Sequence, residues 1–265
     1  MPARYPERIV CLTEETTETL YLLGEERRIV GISGYTVRPP QARRDKPRVS
    51  AFLSAKTDKI LTLKPDLVIG FSDLQADIAR ELAKAGLNVM LFNQRSVEEI
   101  LNMIQVLSSV VGVADKGVQL VKRFEAGLAE IRESAKQFVK KPKVYFEEWD
   151  EPMISGIRWV SELIGIAGGV DVFSDLSRSQ AATGRIVTSG AVMEKAPDLI
   201  IASWCGKKFR PERVVAREGW QSVPAVRDGE LHEVKSAEIL QPGPAALTDG
   251  VRRVQRIISA WAEKR

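Results

Sequence analysis

Four acids fall within five residues, at Glu147, Glu148, Asp150 and Glu151. Such a run can hold a hard cation through oxygen ligands or supply a general acid and base. It can equally be a solvated loop, and strand alternation would let only one of Glu147 and Glu148 point inward. Cys205 lies two residues from Lys207, a setting that can lower a thiol pKa. The single histidine, His232, falls in a strand-like stretch of its own, so no base is evident for the thiol. An inert Cys205 and a structural His232 are expected. With only Cys11 and Cys205 as cysteines, neither a CxxC nor an HExxH zinc site can be written. A serine triad would have to use His232, and no GxSxG elbow accompanies it. Gly206-Lys207-Lys208 lacks the first glycine and the hydroxyl residue of a phosphate-cradling loop.

Binding chemistry is better represented. Aromatic residues are 6% of the chain, yet Tyr35, Phe52, Phe71, Trp149, Trp159 and Trp204 all fall in segments that read as loops after strands. Rings in such loops point to a wide, flat, partly apolar ligand. The competing reading puts some of them in hydrophobic interiors. Gln94, Arg158, Arg185 and Gln241 are placed to hold amide or carboxylate groups at the rim of that ligand, and Glu148 completes the candidate set.

The elements that must position these residues show an internal repeat. Lys64-Pro65-Asp66-Leu67-Val68-Ile69-Gly70-Phe71 recurs as Ala196-Pro197-Asp198-Leu199-Ile200-Ile201-Ala202-Ser203-Trp204. Each copy follows a short helical stretch and then gives an apolar run of the kind found in buried parallel strands. The flanks match as well: Arg8 to Leu12 pairs with Lys143 to Phe146, and Leu87 to Phe92 with Glu230 to Val234. Ser96 and Glu99 read as a capping box opening a helix to about Val111. A second periodic stretch from about Asp115 to Phe138 gives a helix of about 24 residues and about 35 Å. The expected fold is α/β, two Rossmann-like lobes with mostly parallel sheets joined by a long α-helix, with a ligand cleft between the lobes. The expected division is an N-terminal lobe over 1–95, a helical linker over 96–141 and a C-terminal lobe over 142–265.

Composition narrows the function further. The 265 residues are 44% hydrophobic and 28% charged, and 39 Lys plus Arg against 35 Asp plus Glu leave a net charge of +4. That mild, interspersed excess disfavours nucleic acid as partner. No stretch approaches the ~20 apolar residues of a membrane span, so no membrane insertion is expected. The opening residues run into Ile9 without an apolar leader core. The expected location is therefore cytoplasmic as written, or periplasmic if a leader has been trimmed.

Arg28-Ile29-Val30-Gly31-Ile32-Ser33-Gly34-Tyr35-Thr36-Val37-Arg38-Pro39-Pro40, followed by the Lys64 to Phe71 segment, resembles the N-terminal lobe of cobalamin-binding substrate-binding proteins. These belong to the helical-backbone (class III) periplasmic binding proteins, which also carry ferric siderophores and haem. The resemblance implies two α/β lobes, little closure on binding, and a corrinoid held edge-on, largely by aromatic and van der Waals contacts. The Tyr35 loop, Phe52 and Phe71 match the family's first-lobe ligand loops, and Trp149 and Trp204 lie where second-lobe contacts occur. The family docks on its ABC permease through one surface carboxylate per lobe, for which Asp77, Glu81 and Glu218 are candidates. The expectation is a monomeric, non-enzymatic binder of a cobalamin-like corrinoid with no catalytic cofactor, serving transport or acting as a cytoplasmic carrier. Two alternatives stand beside it. One is a ferric siderophore or haem binder; the other is a chelatase-like enzyme of tetrapyrrole or corrinoid metabolism, with Glu147, Glu148 or Asp150 accepting protons.

Overall fold

Runs of aliphatic, β-branched residues build the strands of the computed structural model, which describes residues 5–264. Residues 1–4, where the leader expectation begins, and residue 265 lie outside the described part. The chain divides into two compact units, residues 1–94 with 98–124, and residues 95–97 with 125–265.

In the first unit, Ile9–Cys11 (β1), Ile29–Ser33 (β2), Arg48–Ser50 (β3), Leu67–Phe71 (β4) and Val89–Phe92 (β5) form one sheet in the order β3-β2-β1-β4-β5. Every neighbouring pair is parallel. β1 and β4 are buried along their whole length, as expected of strands covered on both faces. The connections are Glu14–Leu22 (α1), Pro40–Asp45 (α2), Thr57–Thr62 (α3) and Ala76–Lys84 (α4). The strand order reverses between β1 and β4, and in open parallel sheets such a reversal opens a ligand crevice at the carboxyl ends.

Two helices follow, Val97–Val110 (α5) and Ala114–Ala135 (α6), close to the stretches their periodicity predicts. The boundary between the units falls inside α6, after residue 124.

The second unit contains Lys143–Asp150 (β6), Met153–Ser155 (β7), Arg158–Ile166 (α7), Val170–Asp171 (β8), Ser189–Lys195 (α8), Leu199–Ala202 (β9), Pro211–Val215 (α9), Pro224–Arg227 (α10), Leu231–Glu233 (β10), Ser236–Ile239 (α11) and Val251–Ala262 (α12). Its sheet runs β10-β9-β6-β7, with β8 also on β6. β9 lies parallel to both β6 and β10, and β7 is antiparallel. The repeated strings thus become β4 and β9, and His232 sits in β10 hydrogen-bonded to Glu230 (2.9 Å).

Two expectations need correction here. Glu147, Glu148 and Asp150 are not in a loop: β6 continues through them. Trp159 and Trp204 are core residues, 3% and 2% exposed. Trp159 stands in the first turn of α7 and donates its indole N–H to the Ile239 carbonyl (2.9 Å). Trp204 packs edge-on against Phe209 at 5.1 Å, in the same core as Tyr145, Phe173 and Trp220. A large ring gains most by full burial once its N–H finds an acceptor, and both indoles have one.

Candidate ligand-binding faces at the strand ends

In the first unit the loops after β2, β3 and β4 leave apolar side chains in water. Tyr35, Val37, Leu53 and Leu74 are exposed, Leu53 to 67%, and Phe52 is half-buried. Isolated exposed apolar residues are commonplace, but several gathered on the loops of one sheet end mark a binding surface. The loops are tied to the sheet. The Gly34 N–H donates to the Ser50 carbonyl at 2.7 Å, and a Cβ at Gly34 would lie 3.1 Å from that oxygen, so glycine permits the close approach. Gln75, fully buried, accepts the Phe71 N–H (3.0 Å) and donates to the Phe52 carbonyl (2.9 Å), joining the ends of β3 and β4. Phe71 is itself buried as the last residue of β4, and Gln94 is buried just after β5.

Behind β1 the electrostatics are unusual. Glu14 and Glu15 open α1, both buried. Burial first, then the charges of Glu15 and Glu18, push the Glu14 carboxyl up to about 8. Burial likewise pushes Glu15 up to about 7, although Thr13 donates to it at 2.6 Å. Cys11, wholly buried at the end of β1, is pushed up to about 12 by burial, which leaves it an inert thiol.

In the second unit the strand-end carboxylates are matched by cations. Glu147, wholly buried, accepts two bonds from Arg217 (2.6 and 2.9 Å) and one from the Trp204 indole (2.9 Å). Burial opposes the Arg217 charge, but the hydrogen bonds and charge of Glu147 outweigh it and raise the guanidinium pKa. Glu148 takes both terminal nitrogens of the buried Arg185 (2.6 and 3.2 Å). Asp150 pairs with Lys207 and with Arg213 (2.9 Å). Lys207 also lies over the half-buried Trp149 ring, 3.9 Å from its centroid.

The predicted residues are therefore not equivalent. Tyr35, Phe52 and Trp149 present ring surface at strand ends. Phe71, Trp159 and Trp204 are buried, which corrects the expectation that these rings stand in open loops. Arg185 is buried and paired with Glu148 through both terminal nitrogens, while its Nε has no hydrogen-bond partner. Arg158 is exposed and bound to Glu162 at 2.9 Å one helical turn on, and Gln241 is half-buried after α11. Leu53, Leu74 and Gln75 are what sequence reasoning missed, because a search for aromatics passes over leucines and a lone glutamine carries no signal of its own. Among the described residues, no three His, Cys, Asp or Glu are grouped to hold a metal ion.

Comparison with known proteins places this geometry. The sequence pattern of the family described as periplasmic binding protein matches residues 9–238. The "Uncharacterized ABC transporter substrate-binding lipoprotein YvrC" of Bacillus subtilis is 26% identical over 263 residues, covering 96% of this chain and 80% of its own. A "Vitamin B12-binding protein" of Vibrio cholerae is 29% identical over 259 residues, covering 94% and 87%. The solved apo structure of the periplasmic haem-binding protein RhuT from Roseiflexus has the same fold, with a TM-score of 0.81 at 22% identity over 95% of this chain and 99% of its own. Two α/β units with mostly parallel sheets, a long helix and a family pattern over residues 9–238 lead to one assignment: the chain belongs to the periplasmic binding protein family.

Proposed function

We propose that the chain binds a cobalamin-like corrinoid without changing it chemically and presents it to the permease of an ABC transporter. The observation that carries this reading is the exposed set Tyr35, Val37, Leu53 and Leu74 on the strand-end loops of the first unit. These side chains suit the broad apolar face of a macrocycle. Trp149 supplies ring surface in the second unit. The Vibrio cholerae relative named for vitamin B12 supports the ligand class, and YvrC, named as an ABC transporter substrate-binding lipoprotein, supports the transport role. The lipoprotein name of YvrC gives no support to a cytoplasmic location, and we place the chain's work outside the cytoplasm. Among the described residues no helix is long and apolar enough to cross a membrane. Asp77, Glu81 and Glu218 are all exposed and are the proposed permease-docking carboxylates.

An enzymatic reading draws less support. The acids a chelatase would use as proton acceptors, Glu147, Glu148 and Asp150, are each held in ion pairs with arginine or lysine. The ligand alternative, haem or a ferric siderophore, is favoured by the likeness to RhuT and by exposed Lys208 and Arg210 after β9. Absorbance titration with cyanocobalamin, cobinamide, haemin and a ferric hydroxamate separates these. Saturable corrinoid binding without turnover is expected, and Leu53→Asp or Leu74→Asp should weaken it roughly tenfold or more, since each removes apolar contact worth over ~1.4 kcal/mol. Saturation by haemin or the hydroxamate alone would replace the corrinoid assignment.

A further inference from the structure

Glu14 and Glu15 open α1 directly after β1, at the carboxyl end of the strand beside the β1–β4 reversal, where open parallel sheets take their ligands. Glu14 is 7% exposed and Glu15 1%. Neither is in a salt bridge with any described residue, and the Oε2 atom of each is buried without a hydrogen-bond partner. Arg38, next to Val37, is bound to Glu18 at 3.0 Å. Arg43 of α2, through its charge, and the Val37 backbone N–H both favour the ionised form of Glu14, but burial outweighs them. One residue before Val37, the Thr36 hydroxyl is fully buried and also has no partner. Buried polar atoms are nearly always satisfied, so three unmatched oxygens in the segments that follow β1 and β2 ask for a bound group.

We propose that Glu14 and Thr36 form a subsite that takes an uncharged primary carboxamide at the ligand's edge and turns away a carboxylate. A carboxamide offers two N–H donors and one carbonyl acceptor. A protonated carboxyl and a hydroxyl, each able to donate and accept, complement it. A ligand carboxylate would instead be desolvated beside Glu15 and Glu18, whose acids oppose its charge. Burial and the neighbouring acids, which lift Glu14 to about 8, keep it in the protonated form at neutral pH. An ammonium ligand would require the ionised form and would bind better as pH rises, the opposite sign. The subsite deepens the corrinoid reading and rests on it, since it supposes that the strand-end face of the first unit meets the ligand.

The test uses the purified chain with cobinamide, which carries amides around the ring edge, and with cobyrinic acid, which carries carboxylic acids in their place. Dissociation constants are measured from pH 6.5 to 9.5, with circular dichroism confirming the fold at each pH. The wild type is expected to prefer cobinamide by roughly tenfold or more, as a site built to hydrogen-bond one group rejects its analogue. Cobinamide affinity should fall as pH passes about 8, Glu14→Gln should flatten that profile, and Thr36→Val should lower cobinamide affinity several-fold. Equal affinity for the two corrinoids, a pH profile unchanged in Glu14→Gln, or affinity rising above pH 8 would overturn the subsite while leaving corrinoid binding in place. Failure of both corrinoids to bind would remove the corrinoid reading and the subsite with it.

Discussion

In the first unit, Asp66 accepts the backbone N–H groups of Glu7 (2.7 Å) and Arg8 (3.0 Å) at the entry to β1. In the second, Asp198 accepts the N–H of Lys143 (2.8 Å) at the entry to β6. Each aspartate follows a proline and a residue in the left-handed region, Lys64 and Ala196, both at φ 46°. The two halves therefore start β4 and β9 in the same way. At the other end of the central strands they differ. Glu14 and Glu15 behind β1 form no ion pair with any described residue and are shifted towards the neutral acid, whereas Glu147 on β6 is buried against Arg217 and Trp204. A carboxyl inside a protein is tolerated either uncharged or paired, and each half uses one solution. The amino ends of the strands carry the repeated scaffold, while their carboxyl ends have diverged to serve different contacts.

The largest expected effect comes from breaking the paired solution. Arg217→Met strands the Glu147 charge in the core and should cost about 3–5 kcal/mol in urea unfolding. Adding Glu147→Leu should recover most of that loss, and a double variant no better than the single one would refute the pairing account. Next is the neutral solution. Folded Glu14 holds its proton up to about 8, whereas the unfolded chain releases it near 4.5. The stabilisation from that proton is complete below the lower value and is lost as pH rises to the upper one, at about 1.4 kcal/mol per pH unit for one group. Glu14→Gln should therefore raise the Tm at pH 8.5 and change it little at pH 5. An equal gain at both, measured by calorimetry, would show that ionisation is not the cause. The smallest effect tests the shared device: Lys64→Gly and Ala196→Gly should each stabilise by about 0.5 kcal/mol, because glycine adopts positive φ without a Cβ clash. Unequal signs in the two halves would break the equivalence of the repeats.

Much of the scaffold was legible because its signals are local. The repeated Pro-Asp strings became β4 and β9, and helical periodicity located α5 and α6 within a few residues. The site was less legible, because its decisive contacts are distant in sequence. Nothing around Glu147 shows that Arg217 will meet it, so a charged segment that is a strand read as a loop. Trp159 and Trp204 looked available for the same reason: their N–H acceptors, on Ile239 and Glu147, come from elsewhere in the fold. Tyr35 is exposed and Phe52 half-buried, as residues of short loops after strands commonly are.

Gln75 gives the apolar loops of the first unit a particular mechanical character. Its amide spans from the end of β4 to the Phe52 carbonyl, in a space that a Cβ at Gly70 would invade at 2.6 Å. A hydrophobic tip that would otherwise wander is thereby preorganised by the rigid sheet beneath it. Capture of a bulky guest then demands little ordering of the receptor, which favours quick association with small rearrangement.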